Sequence, residues 1–343
     1  MQTKILRYSD GASLADAAKI LKDGGLVAFA TETVYGLGGN ALDADAAKKI
    51  YAAKGRPSDN PLIVHILEPE DAEKYACTNE LYYKLAKAFM PGPLTVILPK
   101  KDVIPPSVTG GLDTVALRCP AHVCARALLR ESGLPVAAPS ANLSGRPSPT
   151  SATHVISDLS GKIDMIIDGG ECEIGLESTI VKADGDKLTV LRPGGITPDA
   201  LSLVCENVEI SHAVTGALAK GERVLSPGMK YRHYSPSTPL VLLDGEKRDV
   251  ISFLRKAQKN ENCVIIAYKE DTSELDGKGL IEIGGENDLE TQAKKLFSIL
   301  RVVDSYGADV IYTHLPKKDG LGLALYNRLI RAAAHRIINT SEH

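Results

Sequence analysis

Lys54 and Arg56 stand on either side of one glycine in "AAKGRPSDNPLIVHI", residues 52 to 66, and both carry charge suited to an anion. Lys54 falls in the last turn of the helical pattern "DADAAKKIYAAK", with Gly55 as its expected cap, where a lysine serves the helix dipole and needs no further role. Arg56 lies beyond the cap and directly before Pro57, which biases it to an extended backbone. A guanidinium fixed in this way is preorganised for two-point contact with an anion. Ser58 and Asn60 add short polar groups to the same loop. His65 follows in an apolar strand, where a lone histidine is ordinarily a satisfied structural residue unless other polar groups converge on it.

Other apolar runs end in the same manner. "LVAFA" ends at Thr31, Glu32 and Thr33, "TVAL" at Arg118, "PVAAP" at Ser140, Ala141 and Asn142, and "KLTVL" at Arg192. Each alone is a turn residue or a surface arginine. In an open α/β sheet, however, ligands sit in the crevice beyond the strand ends. Three arginines, one lysine and several hydroxyls at such ends predict an anion pocket built without a phosphate-binding glycine loop. No G-x-x-x-x-G-K-[ST] occurs, and the near match "GLGLAL" at 320 follows "LPKKD" and reads as a helix start. H-E-x-x-H, G-x-S-x-G and zinc-type cysteine spacings are missing too, which argues against a hydrolase triad or a protein-ligated metal.

The elements that must position these residues alternate. Residues 1–208 alternate short β-rich runs with helical patterns, including a helix over about 70–90, and read as an α/β sheet layered with helices. Residues 209–238 contain "SPGMKYRHYSP", a proline-bounded linker read here as a lid, because a tether needs neither its aromatic side chains nor its cations. Residues 239–343 repeat a β-α-β rhythm, with helices over about 288–305 and 323–338, and predict a smaller Rossmann-like α/β domain.

Bulk properties narrow the class. A chain of 343 residues suits two domains, and 44% hydrophobic content suits a globular one. Lys+Arg at 40 against Asp+Glu at 43 gives a net charge of −3, so no global basic field draws it to nucleic acid. The six cysteines show no C-x-x-C pair and are expected to be free thiols of a reducing cytosol. No apolar leader or run of membrane-spanning length is seen, which predicts a cytoplasmic protein without membrane contact.

"TETVYGL", "KGRPSDNPL", "APSANLSGRPSPT", "ESTIV" and "LRPG" follow one another over roughly the first 200 residues. In this the chain resembles the YrdC-like threonylcarbamoyl-adenylate synthases, and the linker with its extra α/β domain resembles their longer, two-domain branch. The resemblance implies a YrdC-like open twisted sheet and a nucleotidyltransferase reaction. L-threonine, bicarbonate or CO2, and ATP would give threonylcarbamoyl-adenylate and diphosphate, used downstream by a transferase that modifies tRNA. It implies Lys54 and Arg56 as catalytic residues. ATP would fall to Lys54, Arg56, Asn60, Thr114, Asn142, Ser144, Thr150, Arg192 and Tyr231. Threonine and the carbamate would fall to Thr33, His65, Arg118, Ser140 and Ser178, with Arg118 the natural partner of a carboxylate. Mg2+ is expected with the nucleotide. Its ligands stay open, Glu32 and Glu177 being within the same motifs. Two other readings are a carbamoyl-adenylate-forming enzyme of hydrogenase maturation, which should carry zinc-finger cysteines, and a non-catalytic RNA-binding module with a weak tRNA contact.

Overall fold

A computed structural model describes residues 2–9, 11–216, 234–275, 277 and 279–342. They fall into two compact units, one from residues 1–144 and 148–230, the other from 145–147 and 231–343. The linker motif from Ser226 to His233, including Tyr231, lies outside the described residues.

In chain order the first unit contains β1 (Lys4–Arg7), β2 (Val27–Phe29), β3 (Gly36–Asn40), β4 (Ile63–His65), β5 (Leu94–Pro99), β6 (Thr114–Arg118), β7 (Val136–Ala137), β8 (Met165–Asp168), β9 (Thr179–Asp184), β10 (Lys187–Arg192) and β11 (Asn207–Ile210). They form one mixed sheet in the order β1-β8-β2-β3-β7-β4-β6-β5-β9-β10-β11. Side chains alternate between its faces. Val64, Val96, Leu117, Val181 and Val190 belong to the main core together with Ile50, Leu81, Leu85 and Leu128 of the covering helices. Burying each such leucine contributes about 1.5–3 kcal/mol.

Helix Ala44–Lys54 shows how closely local chemistry sets the site's position. Asp43 caps its start by accepting from the Asp45 amide, and Gly55 ends it in the left-handed region at φ 60°. The expected cap is thus observed, and Arg56 leaves the helix at a fixed angle.

Three sequence expectations are corrected, and one strand was not expected. The helix read over 70–90 is a 3-10 segment Pro69–Lys74, then a separate helix Glu80–Phe89 capped by Asn79. Between them Ala76 bridges Lys100, which diverts the chain from helical hydrogen bonding. The final helix ends at Ala332 rather than near 338, because Ala334 and His335 take positive φ and turn the chain into a further strand. The boundary read at 208 falls inside β11, which pairs in parallel with β10 and so extends the first sheet. Finally, β3, "GLGGN", has no β-former pattern. A Cβ on Gly38 would lie 2.7 Å from Val136 Cγ1 and 2.9 Å from Phe29 Cε1, so packing selects glycine there against propensity.

The second unit contains β12 (Leu240–Asp244), β13 (Cys263–Tyr268), β14 (Leu280–Gly284), β15 (Val310–His314) and β16 (Ile337–Asn339), all parallel in the order β14-β13-β15-β12-β16. This is the expected Rossmann-like arrangement, buried on both faces in the manner of parallel sheets. The six cysteines are free. No helix among the described residues is long and apolar enough to cross a membrane.

Candidate active site

Strand register assembles the first unit's polar residues into one row. His65 on β4 pairs with Arg118 on β6, Arg118 with Thr95 on β5, Thr95 with Ile180 on β9, and Ile180 with Arg192 on β10. Residues paired in this way point to the same face of a sheet. One same-face position along from the row, Ile63, Ala116 and Ile97 pack with Ile180 and Leu191 in a small apolar cluster separate from the main core. The row is therefore the polar edge of a dry floor.

Arg192 reaches that face through a bulge. Simple alternation would place it with Val190, which belongs to the opposite, helix-covered face. The register shift between Val190 and Arg192 sets Arg192 opposite Ile180 instead. Its Nε then donates to the Ser178 carbonyl at 3.1 Å and its Nη2 to Ser178 Oγ at 3.2 Å. Ser178 Oγ in turn lies 2.8 Å from Thr95 Oγ1. Thr95 was not singled out from the sequence, although its even spacing from Ile97 within "LTVILP" is the signal that places it on the floor side.

Arg118 is held by charge. Its Nη2 donates to Glu32 Oε1 at 2.7 Å, and the other Glu32 oxygen accepts from the Ala121 and His122 amides at 3.2 and 3.4 Å. Burial pushes the Glu32 carboxyl upward, but the Arg118 charge and these donors outweigh it and hold the group below its ordinary value. Arg118 Nε is buried without a hydrogen-bond partner among the described residues. The same holds for both amide atoms of Asn60, which is 1% exposed. Orphaned buried groups of this kind are costly unless something else fills their bonds.

His65 is neutral. Burial and the nearby Arg118 charge lower its pKa to about 3, while Nδ1 lies 3.2 Å from the Ile63 carbonyl and the ring stands edge-on to Phe29.

Lys54 turns inward. Its Nζ donates to the Ser140 and Asn142 carbonyls, each at 2.5 Å, and its own carbonyl accepts from the Ser144 amide at 2.9 Å. It thereby ties the "APSAN" turn to its helix. Within that turn Ser140 Oγ donates to Asn142 Oδ1 at 2.6 Å. Arg56 Nη2 donates to the Asn60 and Pro61 carbonyls at 3.1 and 3.0 Å, closing the loop after the helix. Thr33 Oγ1 lies 2.8 Å from Thr31 Oγ1.

Against this geometry, known proteins give a consistent answer. Residues 19–194 match the family model for Sua5, YciO and YrdC proteins, described as "Telomere recombination". Residues 196–334 match the model described as "Threonylcarbamoyl-AMP synthase, C-terminal domain". The chain belongs to the threonylcarbamoyl-AMP synthase family. A Bacillus subtilis threonylcarbamoyl-AMP synthase is 45% identical over 95% of this chain and 94% of its own. One from Pyrococcus abyssi is 46% identical over 94% of each. The crystal structure of P. abyssi Sua5 complexed with L-threonine superposes with a TM-score of 0.89, at 42% identity over 99% of both chains.

Of the residues assigned to the synthase reaction, the structure brings His65, Arg118, Ser178 and Arg192 to the polar row, and Lys54 joins Ser140 and Asn142 in one turn. Thr114 begins β6, and Ser144 is exposed at the end of the turn that Lys54 holds. The Thr150 amide donates to His154 Nδ1 at 3.2 Å. Glu177, considered with Glu32 for a metal, accepts from Ser148 Oγ at 2.6 Å. Both acids are thus committed to protein donors, and neither fits as a ready metal ligand in this arrangement.

Proposed function

We propose that the first unit makes L-threonylcarbamoyl-adenylate from L-threonine, bicarbonate or CO2, and ATP. The observation that carries this reading is the row from His65 to Arg192, two buried arginines and a neutral imidazole on an apolar floor. Threonine's amine and CO2 give a carbamate with loss of a proton. A carbamate oxygen then forms a bond to the α-phosphorus of ATP, and the bond to diphosphate breaks. Carbamates are labile in water, so the site must be dry as well as cationic. Ile63, Ile97, Ala116, Ile180 and Leu191 supply the dry surface.

In this reading Arg118 takes the threonine carboxylate through its unfilled Nε, steadied by Glu32. Arg192, fixed by Ser178, and Arg56 meet the triphosphate. Lys54 acts by holding the Ser140 to Asn142 turn against the substrates. Mg2+ brought with the nucleotide would supply charge neutralisation on the phosphates, and no side chain of this chain is assigned to hold it. Among the described residues of the row no side chain is a poised general base, since burial and the Arg118 charge leave His65 too weak a base to hold a proton and both acids are engaged. Catalysis then rests on positioning and electrostatics. The product is too reactive to store and passes to a transferase acting on tRNA, in the cytoplasm.

A diphosphate-release assay with threonine and bicarbonate omitted in turn tests the reading. Release should require both, because the nucleophile is assembled from both. Equal release with bicarbonate rigorously removed would overturn it.

A further inference from the structure

The synthase chemistry leaves a built cavity in the second unit without a role. Asp244, Tyr268 and His314 close the carboxyl ends of β12, β13 and β15, and all three line a cavity of about 610 Å³. That volume lies within the usual range of small-molecule sites, about 300–1,000 Å³. Its place in the sheet is also the expected one. From β13 the chain moves outward to β14, whereas from β15 it moves the other way, past β12 to β16. Adjacent parallel strands whose connections part in this way open a crevice at their carboxyl ends, where open α/β sheets bind ligands.

The crevice has a fixed interior. The Tyr268 and His314 rings stack with centroids 4.5 Å apart and planes 22° apart. Behind them Asp271 is 0% exposed, and its carboxylate lies 2.9 Å from His314 Nε2 and 2.7 Å from Lys247 Nζ. Burial pushes the Asp271 carboxyl upward, yet His314 and Lys247 hold it below its ordinary value. Apolar residues would fill the space at less desolvation cost, so packing alone gives no reason for a carboxylate there. What the carboxylate does provide is a buried negative charge beside an imidazole and an ammonium that both border the cavity.

The rim supplies complementary chemistry. After β15 the loop carries Lys317 and Lys318, then helix Gly322–Ala332 begins without a side-chain cap. A Cβ on Gly322 would lie 2.7 Å from the Lys317 carbonyl, so the loop folds back tightly enough to demand glycine. An uncapped helix start beside an exposed lysine suits a phosphate, although the Asp319 and Glu286 carboxylates line the same cavity and must turn to solvent to admit it. The stacked ring pair suits a planar ring, and Asp244 on the opposite rim can accept from hydroxyls.

We propose that the second unit binds a free mononucleotide, or a phosphorylated ligand of that size and kind, at the carboxyl ends of β12, β13 and β15. The phosphate lies toward Lys317 and the helix start, the ring toward Tyr268 and His314.

The test uses the full chain and a readout local to this cavity, so that nucleotide bound by the first unit does not count. His314 ring signals, identified by their loss in His314→Gln, and the Gly320 and Gly322 amide signals are followed by NMR. Probes are AMP, UMP, ribose 5-phosphate, adenosine and inorganic phosphate. AMP should shift all three residues and saturate with a Kd of about 1 mM or tighter. Ribose 5-phosphate and adenosine should each bind more weakly than AMP. Lys317→Glu, at an exposed position, should weaken AMP at least about tenfold. Unmoved His314 and Gly320 signals at saturating AMP, or undiminished binding by Lys317→Glu, would overturn the proposal. Neither outcome bears on diphosphate release, so this inference and the synthase reading stand or fall separately.

Discussion

Arg118 and Glu32 meet at 2.7 Å with side chains only 5% and 6% exposed, so one of the floor's two arginines is held by a partner from a different strand end. Breaking a buried pair from one side leaves the other charge uncompensated, at a cost of about 3–5 kcal/mol. Glu32→Gln should therefore lower unfolding free energy in urea by about that amount at neutral pH. The folded carboxyl lies below its ordinary value. The pair's stabilisation is thus present above the usual glutamate range and is lost as pH falls through the folded value. A variant with unchanged neutral-pH stability and an unchanged acid limb would remove Glu32 from this role.

His65 makes a second, independent pH prediction. Burial and Arg118 set its pKa at about 3 against an ordinary 6.5. Below the ordinary value the unfolded chain takes up a proton that the folded chain refuses. Stability should fall from about pH 6.5 downward by up to about 1.4 kcal/mol per pH unit, and His65→Gln should flatten that slope. The kcat/KM profile should show no His65 inflection between about pH 5 and 8. A His65 ring that titrates near neutrality by NMR would contradict both statements.

Thr95 and Ser178 share a 2.8 Å hydroxyl contact that also steadies Arg192. Thr95→Val keeps the shape and removes the hydroxyl, so overall stability should drop by only about 1 kcal/mol. Because Arg192 loses part of its support, kcat/KM should fall by about tenfold or more, which corresponds to about 1.4 kcal/mol. If Thr95→Val works at the wild-type rate, the hydroxyl chain does not position Arg192.

These residues also show how far the sequence could be read. Arg118 and Arg192 were visible because polar residues ending apolar runs are conspicuous, Ser178 only through the resemblance that "ESTIV" carries, and Gly55 because a glycine after a helical lysine has few other uses. Their mutual placement was not visible. Alternation would assign Arg192 to the helix-covered face, and only the bulge, which depends on its partner strand, moves it. Thr95 passed for an ordinary β-former. β3 was missed because tertiary contact with Val136 and Phe29 overrides glycine's poor β propensity. The break at Ala76 depends on Lys100, a partner 24 residues away by numbering that no local window contains. In the second unit, Asp271 and His314 are adjacent only because β13 and β15 are neighbours in the sheet, which the order of strands along the chain conceals.

Arg56 closes its own loop onto the Asn60 and Pro61 carbonyls, and two roles for it make different demands. If the guanidinium also meets the triphosphate, Arg56→Lys keeps the charge but loses the planar fork. The loss should then be about 2–4 kcal/mol in kcat/KM, roughly 30- to 1,000-fold. It should appear in the KM for ATP, and threonine binding measured calorimetrically without ATP should be nearly unchanged. If Arg56 only ties the loop, the lysine should cost about 1 kcal/mol of stability and disturb both substrates alike, through Asn60. Activity within about twofold of wild type, well under 1 kcal/mol, would exclude the triphosphate contact.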